Sequence, residues 1–258
     1  MTSQWLFCRL YAPGGATSIV PPAVARTARY VAAADPEGCF LFDRADDPAG
    51  FSVEVWADAT PRVLAEAADR LRAEPLPPGW SSSFTHGVAR PVRNPHESER
   101  DVADELAAVS SELALAVLAH GAPADDLGLA LAHLRGVAGL VPPADRGTLL
   151  FHCWQHFSAA LTPGVRVGLA FEASLHAGRG ADAPDEIFRR YLDRTQEVVA
   201  AQRPGCDLPG HYLLFSQMTR TQDRLGVAPA CSAVAALTVR HEFAEQARRQ
   251  PVSSGRPA

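Results

Sequence analysis

The sequence predicts an α+β fold, a ferredoxin-like βαββαβ sheet half followed by a mainly helical half. Three observations carry that prediction. Alternating runs, helical stripes and a tight-turn tetrad succeed one another as strand, helix, strand, strand, helix, strand across residues 4–92. From Glu97 onward the apolar spacing changes to threes and fours and stays there for most of the chain. The stretches between segments are only a handful of residues long, so they read as turns inside one domain.

Trp5 to Tyr11 alternates as a strand does, and Pro21 to Asp35 (PPAVARTARYVAAAD) opens on prolines and stops at Asp-Pro, as a helix does. Next comes CFLFDRADDPAGFSVEVW, Cys39 to Trp56. Two apolar-alternating runs, Phe40 to Asp43 and Phe51 to Trp56, flank the tetrad Asp46-Asp47-Pro48-Ala49 with Gly50 behind it, which reads as a hairpin. Thr60-Pro61 then starts a helix whose Val63, Leu64, Ala67, Ala68 and Leu71 form one stripe, and Ser83 to Val92 supplies the last strand. PLPPGW (Pro75 to Trp80) and RNPHESE (Arg93 to Glu99) are surface turns.

The helical half contains ERDVADELAAVSSELALAVLAHG, ADDLGLALAHLRGVAGL, RGTLLFHCWQHFSAAL, PDEIFRRYLDRTQEVVAAQ and SAVAALTVRHEFAEQARRQ, each bordered by Pro, Gly or Asp. Val165 to Gly178 fits helix or strand equally well. His211 to Gly226 is long for a strand and is read as helix. The expected organisation is a single domain over residues 1–249, with a sheet-rich part (4–92), a helix-rich part (97–249) and a disordered tail at 250–258.

Composition removes several function classes. With 258 residues and 47% hydrophobic content the chain can bury a full core. All of its 24 basic residues are arginines, and its formal charge of -5 argues against a phosphate-backbone partner, so no nucleic acid is expected. The five cysteines (Cys8, Cys39, Cys153, Cys206 and Cys231) are scattered and never spaced CxxC, as expected of a reducing, cytoplasmic setting. No basic segment with a long apolar core opens the chain, and no apolar run approaches the ~20 residues that span a bilayer, so no membrane partner is expected.

The opening WLFCRLYAP and the hairpin together resemble the start of the small C-terminal elimination domain of lantibiotic dehydratases and its stand-alone relatives in thiopeptide biosynthesis. In glutamate-eliminating members the strand after the Asp-Pro turn carries alternating arginines. Here that face carries Ser52 and Glu54, and no Arg or Lys lies between Phe51 and Trp56. A second stretch, HYLLFSQMTRTQDRLG, resembles a His-bearing segment of the eliminating relatives that ends Asn-Arg-Leu-Gly. This chain has Asp223-Arg224-Leu225-Gly226 after Thr219 and Thr221. The frame remains and the histidines do not.

The resemblance runs from Trp5 to about Gln246 and implies the branch that forms pyridine or dehydropiperidine rings by formal [4+2] aza-cycloaddition between two dehydroalanines. It implies no cofactor and no metal. The implied partner is a leader-bearing precursor peptide with azoles and dehydroalanines; a homodimer stays open. Two rivals are carried beside it: the glutamate-eliminating dehydratase subunit that makes dehydroalanine, and a non-catalytic leader-peptide-binding module.

The remaining motifs each have a plainer reading. His152 and His156 in HCWQH stand at i and i+4, close to the inverted zinc-peptidase pattern HxxEH, but Gln155 occupies the place of the glutamate base and cannot take a proton from water. Either a core helix or a substrate-lining helix follows; in the second case Trp154 and Gln155 would bind a heteroaromatic peptide by stacking and amide hydrogen bonds. Ser174 and His176 precede a Gly-rich turn without an Asp at triad spacing or a GxSxG elbow, which weakens a hydrolase reading and leaves them as substrate-binding candidates or plain loop residues. Tyr212, Ser216 and Gln217 offer neutral donors and acceptors where eliminating relatives keep functional residues. With His156 as proton shuttle they make the expected catalytic set, against the alternative of a capped core helix. Arg224 is expected to anchor the fold through a carboxylate.

Overall fold

The computed structural model describes residues 5–13, 19–47, 50–88, 100–120, 125–176, 186–201 and 210–249. Its first half is β1 (Trp5–Tyr11), α1 (Pro22–Ala34), β2 (Cys39–Asp47), β3 (Gly50–Asp58), α2 (Pro61–Ala73) and β4 (Ser81–Val88). The strands form one antiparallel sheet in the order β2-β3-β1-β4, the arrangement of the split βαββαβ unit. Prolines at the first turn start α1 and α2, where a missing N–H costs nothing. Both helices lie on one sheet face, where Val24, Val31, Val63, Leu64 and Leu71 pack with Leu6, Cys8, Leu10, Phe40, Phe42, Val53 and Val55.

Strand alternation fixes the other face: Phe7, Arg9 and Tyr11 of β1, Leu41 and Asp43 of β2, and Ser52, Glu54 and Trp56 of β3. At one end of it, Trp5 and Leu41 are buried against Ala107 of α3 (Arg100–Ala119).

The helical half continues with α4 (Asp126–Gly139), α5 (Pro143–Ser158), α6 (Pro163–His176), α7 (Glu186–Ala200), α8 (Gly210–Leu225) and α9 (Pro229–Arg249). Asp125 caps α4 by accepting from the Leu127 N–H at 3.0 Å. Every residue of α9 from Ser232 to Val239 is buried, which is why that stretch is rich in alanine, and α4, α5 and α6 pack around it. The segment left open between helix and strand is helical: α6 packs on α9 through Ala173 while Val167, Phe171 and Leu175 stay exposed. The last sheet strand starts earlier than expected, at Ser81, and the expected continuation to Val92 lies outside the described residues, as do Cys206 and the tail.

The two halves are joined along the edge of β2. The Phe42 N–H donates to Ser111 Oγ of α3 at 3.1 Å, and the Phe42 carbonyl accepts from Arg224 Nε of α8 at 2.7 Å. Arg224 is fully buried and also donates to Ser110 Oγ and to Asp43 Oδ1, each at 2.6 Å. Helical residues thus satisfy the outward backbone groups of an edge strand. Gly226, which follows α8, has φ +78°, and a Cβ there would run into the Arg44 guanidinium, whose Nε donates to the Arg224 carbonyl. The Asp-Arg-Leu-Gly stretch is therefore the joint between helix and hairpin.

No described helix is long and apolar enough to cross a membrane.

Candidate functional site

Helices α5 and α8 run side by side, and between them lies a groove of about 320 Å³ walled by Asp145, Thr148, Leu149, His152, Tyr212 and Phe215. The i, i+4 spacing of His152 and His156 turns both rings toward α8, where each meets Phe215 edge-on, with centroids 6.3 and 6.0 Å apart. Tyr212 is 49% exposed at the mouth. Ser216, one turn beyond Tyr212, is half-buried beside Phe215 and is not one of the walls. An apolar floor of Leu149 and Phe215, flanked by the His152 imidazole, the Thr148 hydroxyl, the Tyr212 phenol and the Asp145 carboxylate, suits a ring-bearing ligand that must be stacked and hydrogen-bonded; His156 lies one turn beyond the walls.

Past Phe215 the groove side of α8 reaches Asp223. Burial raises the Asp223 carboxyl above its usual range, and the nearby His156, Arg224 and Arg220 oppose that shift. Asp223 is thus a partly desolvated carboxylate within electrostatic reach of the His156 imidazole, with no direct hydrogen bond between the two. In the sequence only its place at the head of Asp-Arg-Leu-Gly marks Asp223, and nothing local there points to this role.

The other expected residues lie elsewhere. Gln217 is buried on the far side of α8 and donates from Nε2 to the Leu106 carbonyl at 2.5 Å, so its amide is committed to the scaffold and is unavailable to substrate. Trp154 is also turned inward, with the Arg166 guanidinium 5.5 Å from its ring centroid, so it cannot stack on a peptide in the groove. Gln155 is exposed and is not a groove wall. Ser174 and His176 sit on α6, away from the α5–α8 groove: Ser174 Oγ donates to the Phe171 carbonyl at 2.6 Å, and His176 is 3.9 Å from Glu172. Burial pushes the Cys8 and Cys153 thiols up to about 12, which removes both as nucleophiles at neutral pH.

On the hairpin, Ser52 is fully buried and Glu54 pairs with Arg9 of the neighbouring strand. Asp43 stands opposite Glu54 in the β2–β3 register and is held by Arg224. On this face of the sheet Glu54 of β3 and Asp43 of β2 present two carboxylates, each matched by one guanidinium, Arg9 and Arg224. A separate cavity of about 390 Å³ lies between α1, the start of β2 and α3; it is rimmed by Glu37, Glu105, Glu112 and Arg194, the last two joined at 2.7 Å. Among the described residues no group of three or more His, Cys, Asp or Glu could hold a metal ion.

No family model matches the chain, and no curated protein does. Solved structures do. The pyridine synthase TbtD of thiomuracin biosynthesis superposes with a TM-score of 0.60 at 17% identity, over 94% of this chain and 98% of that one. The tRNA-dependent lantibiotic dehydratase MibB from Microbispora sp. 107891 gives 0.59 at 17% identity over 95% of this chain and 28% of its own length. TsrL gives 0.59 at 12% identity over 96% of each chain. At these identities the likeness is one of fold, and the fold is the α+β architecture shared with those proteins, matching a little over a quarter of the lantibiotic dehydratase.

Proposed function

We propose that this chain is a peptide-modifying enzyme of thiopeptide (RiPP) biosynthesis that closes a pyridine or dehydropiperidine ring from two dehydroalanines by formal [4+2] aza-cycloaddition. One amide tautomerises to a 2-azadiene, and two carbon–carbon bonds form with the second dehydroalanine. The hydroxyl of the former amide leaves as water, and the leader leaves as a carboxamide when the ring aromatises. No electrons enter or leave from outside, so no redox partner is needed.

The observation that carries this reading is the hairpin. An eliminating site must manage a glutamyl carboxylate, and a strand face whose own charges are the Glu54 and Asp43 carboxylates, matched by Arg9 and Arg224, is ill suited to it. The groove supports the same reading, since its stacking surface and the hydrogen-bonding groups of Thr148, His152 and Tyr212 serve a reaction that needs positioning and proton movement. Proximity and orientation alone contribute ~7–11 kcal/mol. In this proposal Tyr212 and Ser216 hydrogen-bond the amide as it tautomerises, His152 lines the ring-binding floor, and His156 moves the proton for water loss with Asp223 behind it.

The test is incubation with a leader-bearing peptide containing azoles and two dehydroalanines, read by mass. A cyclised core with free leader carboxamide supports the proposal. Loss of glutamate from a glutamylated precursor, or binding without chemical change, overturns it in favour of elimination or of a binding module.

A further inference from the structure

The sheet has two edges, and they are treated differently. In the β1–β3 ladder the Ala12 N–H donates to the Phe51 carbonyl at 3.0 Å, which sets the phase: Leu6, Cys8 and Leu10 bond to β3, while Phe7, Arg9 and Tyr11 turn their backbone groups to β4. Their partners Thr85, Ser83 and Ser81 point back at β1. The intervening residues Ser82 and Phe84 therefore direct N–H and C=O outward, on the edge away from β1. The same phase makes Phe42 outward-facing on β2, where Ser111 and Arg224 are found satisfying it. No residue among those described does this for β4.

Edge strands are ordinarily protected by charge, proline or brevity. Ser81–Val88 is eight residues long and has neither a charged residue nor a proline. Ser81, Ser82, Ser83 and Thr85 are exposed, and Phe84 is half-buried under the Arg72 guanidinium, 4.6 Å from the ring centroid. The open edge ends where the β1–β4 register shifts between Trp5 and Phe7, opposite Gly87 with φ +66°.

We infer that the outer edge of β4, at Ser82 and Phe84, pairs with an extended segment of the peptide substrate's leader, adding one strand to the sheet. The inference rests on the peptide-modifying reading above and specifies where that peptide is held. An edge of small hydroxyl side chains favours main-chain recognition, which accepts many sequences. A second copy of the chain is a poorer occupant: among the described residues none of the large exposed hydrophobic side chains lies on β4, whereas a stable subunit interface covers about 800 Å² per partner. The strand has no Asp, Glu, Lys or Arg, so leader binding there is expected to depend little on salt.

The experiment uses the full chain and the same leader-bearing bis-dehydroalanine peptide. Ser82→Pro and Phe84→Pro each remove an outward donor but no bond to β1, so KM is expected to rise about 10-fold or more with kcat retained. Should the proline variants fail to fold, backbone N-methylation along the leader reads the same contact: weakened binding at every second peptide residue is expected. Unchanged KM in folded proline variants, or N-methyl effects without a period of two, overturns the inference. So does a concentration-dependent dimer that Ser82→Pro abolishes, or Ser82 and Phe84 amides already protected from exchange in the free protein. If wild type leaves the peptide chemically unchanged while the leader protects those two amides, the ring-forming proposal fails and the edge assignment stands.

Discussion

Mild acid should loosen the helical half through one residue, His133. A directed chain of hydrogen bonds is buried among α4, α7, α8 and α9. Ser232 Oγ donates to Gln222 Oε1 at 3.2 Å, and Gln222 Nε2 donates to His133 Nδ1 at 2.8 Å. His133 Nε2 then faces the Tyr191 hydroxyl at 3.1 Å, that hydroxyl lies 3.5 Å from Thr221 Oγ1, and Thr221 donates to the Gln217 carbonyl at 2.7 Å. The Gln222 amide nitrogen can only donate, so His133 accepts at Nδ1 and carries its proton at Nε2. A second proton has no place in this chain, and full burial pushes the imidazole down from 6.5 to about 3. The folded state thus binds fewer protons than the unfolded one below pH 6.5. The stability linked to His133 is present above that pH and is lost as pH falls toward 3, at ~1.4 kcal/mol per pH unit, or roughly 2 kcal/mol by pH 5. His133→Leu orphans the Gln222 amide, which costs about 1–3 kcal/mol at pH 7.5, but frees the fold from this proton penalty. Urea unfolding of both proteins at pH 7.5 and pH 5 should show the gap between them shrinking by roughly 2 kcal/mol in acid. A gap that does not change with pH would refute the neutral, fully committed imidazole.

Four further outcomes follow from the same contacts. Arg224→Lys keeps a charge but offers one ammonium where three acceptors, on Phe42, Ser110 and Asp43, are arranged around a planar fork; a loss of about 3–5 kcal/mol in chemical denaturation is expected. Gly226→Ala meets both a positive φ and the Arg44 guanidinium, so its melting temperature should fall by an amount equivalent to about 1–3 kcal/mol. Glu54→Arg places a second cation beside Arg9, yet no glutamate should be released from a glutamylated peptide; release measured by mass would mean that an elimination site is present after all. Tyr212→Phe and His156→Ala should each slow ring formation at least about 10-fold with unchanged melting, and wild-type rates in both would move the chemistry off the α5–α8 groove.

The sheet half was readable from the sequence because its signals are local. Strand alternation, prolines at helix starts and the Asp-Asp-Pro-Ala turn each lie within a few residues, and their order names the topology. The segment Val165–His176 was ambiguous because apolar residues occur all around it: α6 packs on α9 through Ala173 and leaves Val167 and Phe171 exposed, so no clean stripe marks it. Ser52 is polar and sits on the alternate face, which reads as solvent, but it is fully buried. The site was only half legible. Periodicity placed Tyr212 and His156 on helices, and nothing local showed that α8 is buried on two sides, by α3 and by α5. That is why Gln217, chosen for its amide, proves to be tied to Leu106, and why Asp223 was passed over although it lies near His156.

The two-sided burial of α8 has a functional reading that joins these parts. Along one side, Gln217 and Arg224 fasten the helix to α3 and to the edge of β2. Along the other, Tyr212 and Phe215 form one wall of the groove, and Asp223 follows beside His156. A helix fastened at its middle by the Gln217 amide and at its C-terminal end by the Arg224 guanidinium cannot rotate or slide without breaking buried hydrogen bonds, so the groove wall inherits the rigidity of the sheet. Such rigidity is what a reaction without a strong nucleophile requires, because its barrier is lowered by holding two unsaturated groups in register and by placing a proton donor within reach. In the proposed reaction the hairpin, whose second strand carries no arginine, serves as the foundation of the groove, and the chemistry lies one helix away, on the helix that Arg224 keeps in place.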